Sequence, residues 1–355
     1  MRFTKQQLNF LEVFAMVSNT KAFLNDKVNI QTKDNKVYFS QNTDNVKLIQ
    51  VLEVQGQTDQ INVTYLTNQL SAMVKSCQDD DVISISAEGI KFGKNSEYKF
   101  ESYDVSIDDP NTILNMAAAP EKSYALGNFE KINTIKNFIS SDENFNCISL
   151  QDNNFISYNG QVIAISTSTN DIKELLYLPS VFFNIIDKLK IKEVNLALLQ
   201  NGEYYNFKSN DLNIFLSIKE YGIPYVFSSE IKSEYDHPYS VECNKKEILK
   251  ALNRIKIISQ SNPETRVYVQ FTNNKIIIES KDGQYGKEEV DAVYNNELKD
   301  FYVILSSSHL YSIASLLVGE TVRMFLKPDK SINAVKIVYE KEENIYVHIP
   351  FEYNE

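Results

Sequence analysis

The sequence predicts an α+β protein built from three repeated domains, each with two helices packed on antiparallel sheets. One observation is that the 355-residue chain divides into three segments of about 118 residues with one order of elements. That order is strand, helix, strands, second helix, strands. The second observation is that apolar positions follow a helical period in the helices and alternate in the strands. We therefore expect domains at residues 1–115, 116–235 and 236–355.

The first helix of each segment begins at a capping residue. Thr4 with Gln7 forms a capping box in FTKQQLNFLEVFAMVSN, Asn128 caps LGNFEKINTIKNFIS, and Asn244 with Glu247 caps VECNKKEILKALNRIKIIS. An apolar stripe follows each cap, as expected of a helix that packs on a core. The residues predicted to be buried are Leu8, Leu11, Val13, Phe14, Val17, Phe129, Ile132, Ile135, Ile139, Ile248, Leu252 and Ile255.

Strands and a second helix follow each first helix. The stretches KVNIQTKDNKVYFSQ, NFISYNGQVIAIST and RVYVQFTNNKIIIESK alternate and contain Asn or Gly turns typical of hairpins. VTYLTNQLSAMVKS, LPSVFFNIIDKLK and SSSHLYSIASLLVG predict the second helices, and further alternating strands come after them. Turn-rich polar stretches predict the domain boundaries at Asp108–Ser123 and Ser228–Pro238.

Composition predicts a globular protein in the cytoplasm. Hydrophobic residues make up 43% and charged residues 23% of the chain. No apolar run approaches the length of a membrane span, and the N-terminus lacks a signal-peptide core, so we expect no membrane partner. Cys77, Cys147 and Cys243 lie far apart and form no CxxC pair, which favours reduced thiols over a disulfide or metal site.

The residues offer little for catalysis. His237, His309 and His348 show neither HxxxH nor HExxH spacing, and the chain contains no Gly-rich phosphate loop and no GxSxG motif. Asp79–Asp81 follow a predicted helix and precede a strand, which indicates a solvated turn rather than a metal cluster. We therefore predict a protein that is not an enzyme and needs no cofactor.

The net charge of −11 argues against a general nucleic-acid binder, but the positions of the basic residues favour one. Lys246, Lys250 and Arg254 follow one another at four-residue intervals, so they share one face of a helix. Such faces, taken together, could hold duplex DNA through its phosphates without reading sequence. Simple solvation of a helix face is the alternative. The full set of candidate DNA-binding residues is Lys21, Lys75, Lys131, Lys136, Lys188, Lys246, Lys250 and Arg254.

The chain resembles the bacterial-type DNA sliding clamps, the β-subunits of DNA polymerase III, as a divergent or phage-encoded member. FYVILSSSHLYSIASLLVGETVRMFL and AVKIVYEKEENIYVHIPF resemble the family's closing helix, strands and hydrophobic-Pro-hydrophobic ending. ISYNGQVIAIS and FKSNDLNIFLSIKEYGIPYVF resemble parts of its middle domain. The first segment is similar mainly through MRFT and the helix after it.

The resemblance implies a fold, an assembly and partners. Two chains of three domains would close head to tail into a homodimeric ring, with sheets outside and helices lining a hole for double-stranded DNA. DNA polymerase and a clamp loader would bind through short linear motifs in a hydrophobic cleft. The cleft residues that the resemblance implies are Tyr158, Gly160, Ile163, Pro224, Phe227, Ile349, Pro350, Phe351 and Tyr353.

Two features depart from the family's pattern. Glu352 stands where the family commonly has a basic residue, and Ser228 and Ser229 stand where a basic-apolar pair is expected. These differences predict a changed preference for partner motifs. Two other classes of function stay open at this point: a phage structural or assembly protein made of repeated α+β domains, and an enzyme of unknown reaction.

Overall fold

The structure is a computed structural model of the whole chain. It describes residues 1–18, 26–54, 60–93, 96–99, 103, 109–129, 132–168, 170–219, 221–222, 239–258, 266–272, 274–280, 285–295, 301–317, 319–326, 335–338 and 344–348. The chain divides into two compact units, one formed by residues 1–127 and 181–219 and the other by residues 128–180 and 220–355. This division into two units does not test the three predicted domains, so their boundaries stay predictions.

Helices and strands alternate along the described residues. The α-helices are α1 Leu11–Val17, α2 Thr67–Ser76, α3 Pro110–Ala118, α4 Ile132–Ile135, α5 Ser180–Leu189, α6 Lys245–Ile258 and α7 Ser307–Leu316. Short 3-10 turns cover Gln6–Leu8, Lys136–Phe138 and Glu143–Phe145.

The strands of the described residues fall into three groups of eight. The first group is β1 Arg2–Thr4, β2 Lys27–Lys33, β3 Lys36–Asn42, β4 Val46–Glu53, β5 Asn62–Leu66, β6 Val82–Ser86, β7 Gly89–Phe92 and β8 Ser96–Tyr98. The second is β9 Lys122–Asn128, β10 Cys147–Gln151, β11 Asn154–Tyr158, β12 Val162–Thr167, β13 Leu176–Pro179, β14 Glu193–Leu198, β15 Tyr204–Ser209 and β16 Leu212–Ser217. The third is β17 Tyr239–Asn244, β18 Arg266–Thr272, β19 Lys275–Ser280, β20 Gly286–Tyr294, β21 Phe301–Ser306, β22 Thr321–Leu326, β23 Val335–Val338 and β24 Asn344–His348.

Each group contains the same two strand orders, and in the third group β17 also pairs with β20, which joins the two orders into one sheet. The hairpins after the first helix give the orders β5-β2-β3-β4, β13-β10-β11-β12 and β21-β18-β19-β20. The strand before the first helix and the strands after the second give β1-β6-β7-β8, β9-β14-β15-β16 and β17-β22-β23-β24. The triplicated order therefore confirms the predicted α+β class and the internal repeat.

The first hairpin of each group turns at residues with left-handed backbone. Asp34 and Asn35 have φ of 51° and 58°, Asp152 and Asn153 have 44° and 63°, and Asn274 has 68°. Two-residue hairpin turns need this conformation, and Asn and Asp adopt it at lower cost than other residues with a Cβ. The same local chemistry therefore sets the strand register at equivalent places in all three groups.

Strand pairing also joins neighbouring groups. β4 pairs antiparallel with β16, and β12 pairs antiparallel with β24. In each case the last strand of one group's first sheet meets the last strand of the next group's second sheet. Phe215 of β16 is fully buried there and lies in one cluster with Tyr38, Ile49, Ile113 and Leu199. We call these two pairings the first and second joints.

The contacts at the start of the first helix are also repeated in the first and third groups. The backbone N–H of Gln7 donates to Thr4 Oγ1, while Gln7 Oε1 accepts from the backbone N–H of Thr4, so the hydrogen bonds of the predicted capping box are present. They precede the 3-10 turn Gln6–Leu8, however, and the α-helix predicted to begin at Thr4 begins only at Leu11, without a side-chain cap. Asn244 Oδ1 accepts from the backbone N–H of Glu247 at 3.2 Å. The next residue in each case, Lys5 or Lys245, sends its ammonium to carbonyls at the end of the second helix.

This lysine contact ties the two helices of a group together. Lys5 Nζ donates to the carbonyl of Cys77, the C-cap residue of α2, at 2.6 Å. Lys245 Nζ donates to the carbonyls of Ser315 and Leu317 at the end of α7. A cation there satisfies carbonyls that have no intrahelical partner and complements the helix dipole.

Two other sequence predictions about helices were wrong. The helix expected through Ile139 is one turn, α4, continued by a 3-10 turn, and Ile139 is only half-buried. The boundary expected to be a turn-rich stretch at Asp108–Ser123 contains α3. There Asp109 accepts from the backbone N–H of Asn111 and Pro110 occupies the first helical turn, both of which favour a helix start. The other predicted boundary lies outside the described residues, and Asn128's side chain is not described.

Candidate functional site

Helix α6 carries the predicted basic face. Ile248, Leu252 and Ile255 are buried against the sheets, whereas Lys246 and Lys250 are exposed on the opposite side. In the part of the chain that the structure describes, neither ammonium group has a hydrogen-bond or ion-pair partner. Both charges are therefore available to an anion from solvent.

Arg254 belongs to the same face but is already paired. Its guanidinium lies 3.2 Å from a carboxylate oxygen of Glu288 on β20. The Arg254 side chain is half exposed, so this ion pair is screened by water and contributes little to stability. It nevertheless lowers the positive charge that the C-terminal half of α6 presents.

Acidic residues also compensate the basic residues of the first unit. Lys188, in the last turn of α5, donates a hydrogen bond to the carboxylate of Glu12 on α1. That hydrogen bond lowers the pKa of Glu12, with smaller contributions from the charges of Lys75 and Lys5. The carboxylate therefore stays ionised at neutral pH, and Lys188 and Lys75 are partly balanced by it.

The remaining candidate lysines are less informative. Lys136 is half-buried in the 3-10 turn after α4 and has further interactions within the chain. Lys21 and Lys131 lie outside the described residues. Lys246 and Lys250 on α6 are thus the strongest members of the predicted set.

The predicted cleft is described only on one side. Ile163 is buried in a cluster with Ile156, Ile165 and Val347, where β12 and β24 form the second joint. Tyr158 is half-buried and packs against this cluster. Pro224, Phe227, Ser228, Ser229, Ile349, Pro350, Phe351, Glu352 and Tyr353 lie outside the described residues.

The turn between β11 and β12 is held by Asn159. Its Oδ1 accepts from the backbone N–H groups of Gln161 and Val162 at 3.1 and 2.8 Å. Gly160 follows with φ of +93°, and a Cβ there would meet no atom within 4 Å. Side chains of different size could therefore fit in space, but only glycine adopts this backbone without strain.

His309 supports this turn from the first turn of α7. Asn159 Nδ2 lies 3.3 Å from His309 Nε2. Because the amide oxygen is committed to two N–H donors, the amide nitrogen faces the ring, so Nε2 accepts and the neutral ring carries its proton on Nδ1. Burial lowers the pKa of His309, which keeps the imidazole neutral at pH 7. Sequence reasoning missed this contact because the two residues lie 150 positions apart.

The described residues give no sign of other site chemistry. They contain no group of three or more His, Cys, Asp or Glu side chains that could hold a metal ion. Burial raises the pKa of the Cys147 and Cys243 thiols to about 12, so neither is a reactive thiolate. Within the described ranges, no helix has both the length and the apolar character needed to cross a membrane.

No protein-family model and no curated protein sequence matches the chain. Solved structures do match it over 99% of both chains. Caulobacter crescentus pol III beta has a TM-score of 0.81 at 14% identity, the DNA polymerase III subunit beta from Pseudomonas aeruginosa 0.80 at 14%, and the DNA polymerase III beta subunit from Thermotoga maritima 0.80 at 13%. With its triplicated sheets and two joints, the chain therefore has the fold of the DNA polymerase III β sliding clamps.

Proposed function

We propose that this chain is a DNA sliding clamp, a processivity factor that encircles duplex DNA as a head-to-tail homodimer. The observation that carries the proposal is the match in fold to clamp structures along 99% of both chains. Enclosure would hold the ring on DNA while leaving it free to slide. The chain would then keep a polymerase at its template without catalysing a reaction itself.

The strand edges support ring closure. Two joints already link the three groups of strands. The same kind of pairing leaves one strand edge of the first group and one of the third group without a partner among the described strands. Among the described strands, β8 is the outermost of its four-stranded sheet, and residues 286–291 of β20 have a described strand partner only in β19. Unpaired edges attract another strand, and a closed assembly removes them.

Exposed apolar side chains lie at the same two edges. Tyr98 of β8 is 44% exposed, while Tyr285 beside β20 and Ile257 at the end of α6 are 67% and 57% exposed. These large apolar side chains are available for contact with another chain. A second chain would cover both edges at once if the ring closes head to tail.

Charge distribution supports sliding rather than tight binding. The chain is acidic overall, with a net charge of −11, while Lys246 and Lys250 project from one helix face without partners among the described residues. A few phosphate contacts of this kind bind any sequence weakly and weaken further as salt rises. Such contacts would centre the ring on double-stranded DNA without stopping its movement.

Partner proteins would bind at the second joint. Tyr158, Gly160 and Ile163 stand at or beside this joint, and we propose that the tail residues Ile349, Pro350, Phe351 and Tyr353, with Pro224 and Phe227, complete a hydrophobic cleft. Polymerase and clamp loader would insert short apolar motifs there. Glu352, Ser228 and Ser229 would set a preference for motifs that differs from that of other clamps. The place of action would be the cytoplasm.

The mass in solution tests the two-chain ring. Light scattering across a dilution series should give a mass near twice the 40.8 kDa of the chain at high concentration. Dissociation on dilution should produce the single-chain mass without intermediate species. A single-chain mass at every concentration would contradict the homodimer.

A further inference from the structure

We propose a residue-level register for the contact between two chains: β8 of one chain pairs antiparallel with β20 of the other, with Tyr98 opposite Gly286 and Glu97 opposite Lys287. This inference rests on the proposed homodimer. The partner it names is a second copy of this chain. We call the contact the third joint, because it repeats the rule by which the first and second joints are formed.

Equivalent places in the three groups follow from the pairing within each sheet. In the first group, Ile85 pairs with Ile90 and Ile90 pairs with Tyr98. In the third group, Met324 pairs with Ile337 and Ile337 with Tyr346. Ile85 and Met324 are each the fourth residue of the strand after the second helix.

The second group is counted in the same way. Ala197 pairs with Asn206, so Leu196, the fourth residue of its strand, falls opposite Phe207, which pairs with Ile214. Tyr98, Ile214 and Tyr346 therefore occupy one equivalent place.

Places on the receiving strand are counted from the turn of the first hairpin of each group, at Asp34–Asn35, Asp152–Asn153 or Asn274. Leu48 of β4 and Gly286 of β20 both belong to the sixth pair from that turn, opposite Gln41 and Ser280. Ala164 of β12 belongs to the fourth pair, because its hairpin is shorter. These counts describe the register of each observed joint in terms that can be applied to the third joint.

The two observed joints offer two registers. The first joint sets Ile214 opposite Leu48, at the sixth pair, and transferred to the third joint this places Tyr98 opposite Gly286. The second joint sets Tyr346 opposite Ala164, at the fourth pair, and transferred it places Tyr98 opposite Glu288. Both keep the same sheet face, since they differ by two residues.

Charge decides between these registers. The first places Glu97 opposite Lys287, and such opposite charges across two strands stabilise a sheet. The second places Glu97 opposite Glu289 and Lys99 opposite Lys287, two like-charged pairs, which destabilise it. All four side chains are exposed, and within one chain Glu97 pairs with Lys91 while Lys287 pairs with Glu289. Exposed ion pairs of this kind are weak, so these side chains can change partners when a second chain docks.

The faces of the strands agree with the first register. Tyr98 lies on the same sheet face as the buried Ile90 and Phe92, and its ring is 5.8 Å from that of Phe92. Gly286 is buried on the inner face of β20, where an added Cβ would lie 3.0 Å from Ile258. In the first register Tyr98 and Gly286 would therefore lie on the same face of the joined sheet. A slip of one residue would instead turn Tyr98 outward.

Cysteine cross-linking tests the register. Opposed residues of antiparallel strands have Cα atoms about 4.5–5.5 Å apart, which a disulfide can span. The test variant carries Glu97→Cys and Lys287→Cys, and the matched control carries Glu97→Cys and Glu289→Cys. Because Cys77, Cys147 and Cys243 are buried, a mild oxidant should act on the introduced thiols. We expect the covalent dimer of the test variant to form about tenfold faster or more than that of the control.

Three outcomes would overturn the register, and they differ in what else they contradict. Faster cross-linking of the control would establish the second register. Cross-linking of neither variant, with a wild-type chain of dimer mass, would place the contact elsewhere while the homodimer stands. A wild-type chain of single-chain mass at every concentration would overturn the homodimer and the register together.

Discussion

Changing Lys246 and Lys250 to glutamate is expected to weaken binding of short linear duplex DNA by about tenfold or more at low salt. Both ammonium groups are exposed on α6 and lack partners in the described structure, so each is free to contact a phosphate. Every lost phosphate contact also lowers the slope of log K against log salt by about 0.9. The slope should therefore fall by about 2 per chain, which fluorescence anisotropy at several salt concentrations would measure.

A matched variant separates this effect from net charge. Lys36→Glu with Lys173→Glu changes the charge of the chain by the same amount at two exposed positions on β3 and in a loop. Its DNA binding should stay within about twofold of the wild type, as expected of a long-range charge effect alone. Equal losses in both variants would show that α6 makes no direct phosphate contact.

Replacing Phe215 with alanine is expected to lower the free energy of unfolding by about 3–5 kcal/mol. Phe215 is 0% exposed and packs with Tyr38, Ile49 and Leu199, which come from both groups of strands at the first joint. Truncation leaves a cavity, and the sheet cannot close it because strands of both groups hold the surrounding residues in place. Guanidinium unfolding followed by circular dichroism would measure the change.

Val293→Ala is the control for this variant. Val293 lies on β20 with 74% of its surface exposed, so its truncation should change the unfolding free energy by less than about 0.5 kcal/mol. If Phe215→Ala were equally mild, the first joint would be a loose contact. A ring whose domains are held by such joints would then lose its structural basis.

Local patterns in the sequence predicted much of this fold. The apolar stripe of α6 and the Thr4–Gln7 capping box depend on residues three or four apart, so the sequence displays them directly. α3 is not evident from the sequence because Asp109–Pro110 is typical of a turn as well as of the first turn of a helix.

The site was less predictable than the fold. Exposure of Lys246 and Lys250 follows from helical periodicity, but the pairing of Lys188 with Glu12 joins residues 176 positions apart. The contact of Asn159 with His309 is equally distant in sequence and has no local signal. The joints share this property, since strand alternation shows which face is buried but not which strand is the neighbour.

Retention on circular DNA tests enclosure most directly. The chain would be diluted until it dissociates, mixed with nicked circular plasmid, concentrated to form the dimer, and passed through a sizing column in high salt. Phosphate contacts alone fail at high salt, whereas a closed ring stays on a circle. We predict that the chain elutes with circular plasmid and is lost once a restriction enzyme makes the plasmid linear. Equal retention on circular and linear plasmid, or loss from both, would contradict enclosure.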